Sequence, residues 1–178
     1  MNVKAKRYLA SDLIKISAMA FGGLAVSIFL YPFLHEAGHV LAAHIIGAEV
    51  VQIEILPIPF VMCNVAALTN EQEIIIGVSG MLFPLVAAVL IPHRWFWCWY
   101  IRFLLFGISL LAYVISAITL ILPDGAELNP NDDMLRVLSL WSGSKATLIG
   151  GLVACVILVV ALTLFDRPTK MIYRKFNL

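Results

Sequence analysis

The residues of this chain best able to do chemistry are grouped in one short run, His35-Glu36-Ala37-Gly38-His39. Residues four apart on an α-helix differ by only about 40° of rotation, so His35 and His39 would present two imidazoles on one face, one turn apart. That is the spacing from which two histidines can hold one divalent ion, and imidazole with carboxylate suits zinc. Glu36 follows His35 directly. It is placed to act as general base on a water activated by the metal, without being a ligand itself. Such an ion lowers the pKa of its water to about 7 and polarises a carbonyl, so the chemistry to expect is metal-assisted hydrolysis.

A catalytic zinc takes three protein ligands and leaves a fourth position open. The other histidines fit poorly. His44 lies five residues beyond His39, about 140° round the helix, and His93 lies in a turn at the other end of the chain's crossings, so both read as structural. A carboxylate from the acidic stretch between 124 and 133 is the better source of the third ligand.

The elements that position these residues are set by a strongly apolar composition. Of 178 residues, 62% are hydrophobic and 13% charged, with a mean hydropathy of +0.97; this is a membrane protein, with the lipid bilayer as its solvent. A net charge of +1 leaves no basic excess for phosphate contacts and excludes nucleic acid as a partner. Cys63, Cys98 and Cys155 are too few and scattered for a disulfide framework and read as core residues.

Crossing the hydrocarbon core takes about 20 mostly apolar residues. Four stretches qualify, at about 16–47, 74–91, 95–122 and 148–165. The first is longer than one crossing and is interrupted by Pro32, which predicts a kink or a second segment. The third opens on Trp95, Phe96, Trp97, Trp99 and Tyr100, an aromatic belt. Between the first two spans, Val51, Ile53 and Ile55 alternate with Gln52 and Glu54, which predicts a strand, with a hairpin broken by Pro57 and Pro59. The fold class expected is therefore an all-α membrane protein of about four transmembrane helices with a short strand or hairpin between the first two, forming a single domain over 1–178. Gly22, Gly23, Gly38, Gly77 and Gly80 are small residues suited to close helix contacts around a site. No cleavable signal peptide or soluble appendage is expected, so substrate selection would fall to the membrane part or to a separate regulatory partner.

Four crossings place Lys4, Lys6, Arg7, Lys15, Arg94, Arg102, Arg167, Lys170, Arg174 and Lys175 on one face. The positive-inside rule makes that face cytoplasmic, with both termini there. His35 lies twenty residues beyond Lys15, about 30 Å of helix rise, which puts the site toward the non-cytoplasmic surface, at the depth of the acidic stretch.

On these residues the chain resembles the site-2 protease type of intramembrane zinc metalloprotease, over roughly residues 30 to 140. His35, Glu36 and His39 match the family's H-E-x-x-H, Gly80-Met81-Leu82-Phe83-Pro84 is similar to its Gly-Pro helix, and Leu120-Ile121-Leu122-Pro123 to its Leu-Leu-Pro stretch. The family takes its third ligand from a later Asp. Asp124-Gly125 reproduces an Asp-Gly pair, whereas Asn131-Asp132-Asp133 ahead of the helical pattern Met134 to Leu138 is similar to the Ser-Asp-Gly form. Weighed by position, Asp132 is expected as the ligand ahead of Asp124 and Asp133. The resemblance implies an intramembrane zinc endopeptidase of a bacterial or archaeal cell membrane, in which His35, His39 and Asp132 bind zinc, Glu36 is the general base, and a membrane protein or peptide is the substrate. The strand between the first two spans would hold an unwound substrate by β-addition. The alternative from another class is a non-catalytic membrane scaffold or partner-binding protein with a structural metal site.

Overall fold

The computed structural model describes residues 3–57, 59–92, 94–122, 124–128 and 132–165. The first apolar stretch forms α1 (Val3–Ala25), a π-helical turn (Val26–Leu30) and α2 (Tyr31–Ile46) in one continuous rod. The wide turn falls where Pro32 requires it. Proline has no N–H and crowds the carbonyl four residues back, and a π turn relieves that crowding; here the Tyr31 N–H reaches back to the Val26 carbonyl. The expected interruption is thus a bulge one turn before His35. Gly47, at φ 82°, closes α2 in the left-handed conformation that glycine adopts without a Cβ clash.

A two-stranded antiparallel hairpin follows, β1 (Val50–Glu54) and β2 (Phe60–Cys63), with Ile53 opposite Val61 and an irregularity between Val50 and Gln52. Then come α3 (Asn70–Leu90), α4 (Phe96–Ile121), the short α5 (Gly125–Leu128) and α6 (Asp133–Leu140), and α7 (Lys145–Phe165). Four helical stretches, Asp12–Ile46, Asn70–Leu90, Phe96–Ile121 and Lys145–Phe165, are long and apolar enough to cross a bilayer. This is the architecture of a multi-pass membrane protein, all-α apart from the hairpin, as the sequence predicts.

Two spans start earlier than hydropathy alone places them, because polar caps extend them. Thr69 and Gln72 form a reciprocal capping box that starts α3 at Asn70 instead of Ile74. The Ser144 hydroxyl accepts from the Thr147 N–H at the start of α7.

The helices α3 and α4 form the inside of the bundle. Leu105, Phe106 and Ala88 are fully enclosed, with Tyr113, Leu120, Met81 and Leu85 around them. α7 packs on α4 through Leu152 and Val159. Phe21, Leu24, Leu111, Ile157 and Leu164 point outward, the inverted pattern that a lipid solvent permits. Arg102, counted among the basic residues of the cytoplasmic face, is buried inside α4. Its guanidinium donates to the Val89 and Ile91 carbonyls at 2.8 and 3.2 Å, groups that the end of α3 leaves without helical partners. His93 and Arg167 to Lys175 lie outside the described residues, as do Pro123 and Asn131.

Candidate metal centre

α2 supplies His35, Glu36 and His39 together. The two imidazoles stand edge to face, with ring centroids 4.8 Å apart, and their Nε2 atoms are 3.2 Å apart. One carboxylate oxygen, Oδ2 of Asp133, lies 2.9 Å from His35 Nε2 and 3.3 Å from His39 Nε2. These three residues are the one group among the described residues whose donor atoms converge as metal ligands would.

The triangle can be tested against a metal's demands. Ligand atoms about 2.0 to 2.1 Å from a tetrahedral ion are separated by edges of about 3.3 Å. The observed edges of 2.9, 3.2 and 3.3 Å match one triangular face of that tetrahedron, with the fourth vertex left for water or substrate. The donor set also fits. His39 Nδ1 lies 2.8 Å from the Ile76 carbonyl; a carbonyl only accepts, so Nδ1 carries the hydrogen and Nε2 keeps its lone pair toward the other ligands.

Asp133 is held as a carboxylate. Burial by itself would raise its pKa, but hydrogen bonds and charge from His35 and His39 outweigh burial and hold it well below the usual carboxylate range. Its place in the first turn of α6 adds the favourable end of the helix dipole.

The structure does not place Asp132 among the converging donor atoms. It is the N-cap of α6: one carboxylate oxygen accepts from the Met134 N–H and the other from the Ser116 hydroxyl, both at 2.8 Å. The residue that opens a helix turns its side chain back onto the helix's own amides, which leaves the next acid free to point at the histidines. Asp124 is exposed beside α5. His44 is exposed on another side of α2, away from the ligand set.

Glu36 sits between two clefts. One, of about 510 Å³, is lined by His35, His39 and Asp133 with Val61, Cys63 and Arg136. The other, of about 370 Å³, is an apolar groove between α2 and the hairpin that includes Phe33, Leu41 and Ile53. Glu36 and Val61 of β2 line both clefts together. Cys63 lines the metal-side cleft, where burial and the charge of Glu36 push its thiol up.

Close backbone approach is what lets α2 and α3 share the site. A Cβ on Gly38 would lie 2.5 Å from the Ser79 carbonyl oxygen, and one on Gly80 would collide with His39 Nε2 and stand 3.0 Å from His35 Cε1. The expectation that small residues permit close contacts holds at these positions, and Gly80 lies directly under both imidazoles. The Ile76 carbonyl, Ser116 and the Glu73–Arg136 pair were not legible as parts of the site. Their only sequence signal was the start of a helix at Asp132.

No family model, curated protein or solved structure matches the chain. The geometry of the site therefore carries the functional argument.

Proposed function

We propose that this chain is an intramembrane zinc metalloendopeptidase. The observation that carries the reading is the convergence of His35 Nε2, His39 Nε2 and one Asp133 oxygen within 2.9 to 3.3 Å, beside a carboxylate, Glu36, that lines the same cleft. His35, His39 and Asp133 would hold one Zn²⁺, in place of the set with Asp132 that position alone favoured. The ion would supply Lewis acidity toward a scissile carbonyl and toward water.

The chain's own residues do the rest. Glu36 takes the proton of the attacking water and returns it to the leaving amine nitrogen, so that the peptide C–N bond breaks with protons balanced. The Ile76 carbonyl fixes the His39 tautomer. A peptide drawn from the bilayer must be unwound before its carbonyls can react, and the open edge of β2 can pair with the extended chain. The apolar groove on the other side of Glu36 suits a membrane-embedded or membrane-proximal polypeptide. The distribution of basic residues favours cytoplasmic termini and a site toward the opposite face.

Glu36→Gln separates this reading from that of a scaffold with a structural metal. The test measures zinc content and cleavage of single-span membrane polypeptides by purified protein. The variant is expected to keep its zinc and to lose cleavage by a hundredfold or more, the order of effect of a general base. Wild-type protein that holds zinc yet cleaves none of a broad panel, with the variant indistinguishable in every assay, would make the metal structural.

A further inference from the structure

The two imidazoles need little help to stay together, because one helix turn sets their spacing. The third ligand is in a different position. Asp133 rides on α6, eight residues long, a length at which a helix has no independent stability and takes its placement from its neighbours. The buried apolar side chains of α6 are Met134 and Val137, with Val137 packed against Gly77 of α3 and the half-buried Leu135 and Leu138 also resting on the core. Apolar burial is non-directional. It turns the Met134 and Val137 face of α6 toward the bundle and so sets the helix's rotation only coarsely; a turn within the breadth of that apolar face, smaller than the roughly 100° between successive residues, would still swing the Asp133 oxygen off the histidines.

Polar contacts flank Asp133 on both sides. Before it, the Ser116 hydroxyl of α4 donates to Asp132 at 2.8 Å while the same carboxylate caps the Met134 N–H. After it, Arg136 pairs with Glu73 of α3 at 2.6 Å. The two contacts differ in worth. Arg136 is 60% exposed, so solvent screens that pair, whereas Ser116 is 5% exposed and its bond to a carboxylate is charge-assisted.

We propose that Ser116 is a positioning residue for the metal: through Asp132 it locks the first turn of α6 to α4 and so aims Asp133 at His35 and His39. This rests on the metal-centre reading above. Zn²⁺ affinity of the full-length chain in detergent tests it, together with the visible absorption of the Co²⁺-substituted protein, which reports ligand geometry. Ser116→Ala is expected to weaken Zn²⁺ binding about tenfold, the scale of lost outer-shell support, and to change the Co²⁺ spectrum. Ser116→Thr, which keeps the hydroxyl, should restore both, and Arg136→Gln should cost only two- to threefold, in keeping with solvent screening.

Wild-type affinity and spectrum in Ser116→Ala, or no rescue by Ser116→Thr, would overturn the proposal while leaving the metal centre standing. A wild-type chain that takes up no metal would overturn both. Should Ser116→Ala fail to fold, Asp132→Asn carries the test, since Asn still caps a helix but accepts the serine bond without charge. A several-fold loss of affinity is then expected, and an unchanged affinity overturns the proposal.

Discussion

Gly80→Ala gives the sharpest test of how the histidine helix and its neighbour share the site. The added methyl would meet the His39 ring at Nε2 and Cε1, the latter at 2.5 Å, and the Cε1 of His35 at 3.0 Å. Carbon atoms rest at about 3.5 to 4.0 Å, so the imidazoles must give way by roughly an ångström. His39 cannot turn freely to do so. Its Nδ1–H is held by the Ile76 carbonyl at 2.8 Å, and moving the ring either breaks that bond or carries Nε2 off the shared triangle. Overpacking of this kind costs about 1 to 3 kcal/mol. If that cost falls on the ligand geometry, metal affinity drops by roughly 5- to 150-fold, at tenfold per 1.4 kcal/mol. The assay is competition for Zn²⁺ against a chromophoric chelator in detergent. Gly107→Ala is the control, because a Cβ there meets nothing within 4 Å and a helical Gly-to-Ala change is neutral or slightly stabilising. A Gly80→Ala protein that binds Zn²⁺ within twofold of wild type would refute the claim that α3 packs directly beneath the ligands.

Other outcomes follow from the same geometry. Asp133→Ala should lose the ion while Asp124→Ala keeps it, read as metal per protein by elemental analysis; equal loss in both would contradict the ligand set. Free Zn²⁺ at a hundred times its dissociation constant should stabilise the chelator-stripped protein by about 2.7 kcal/mol, measured as a rise in unfolding temperature that vanishes in His35→Ala. Thr69→Ala removes the capping box of α3 and should cost about 1 kcal/mol of stability with little change in zinc affinity, since the box lies almost two turns from Ile76. A large loss of affinity there would mean that the ligand-supporting part of α3 depends on its first turn.

The membrane class, the four apolar helices and the pairing of His35 with His39 are written along the chain. Hydropathy over about twenty residues and a spacing of four are local properties, and the helix that carries them needs no distant contact to put both rings on one face. The hairpin was equally readable from the alternation of Val51, Ile53 and Ile55 with Gln52 and Glu54, and the break at Pro32 from the missing N–H. Only its form, a π turn leading straight into α2, came with the structure.

Which acid completes the site is a tertiary matter. Asp132 and Asp133 are adjacent and chemically identical, and the choice between them turns on where α6 begins. Asp132 spends its carboxylate on Met134 and Ser116, and Asp133, one residue on, is rotated toward α2. That rotation depends on the packing of α6 against Gly77 of α3 and on Ser116 of α4, partners far away in sequence. The same holds for the Ile76 carbonyl, a backbone group that no residue type announces, and for Gly80, whose importance lies in the atoms a side chain there would displace. Periodicity places side chains on a face of their own helix; which faces meet, and at what rotation, is decided when the helices pack.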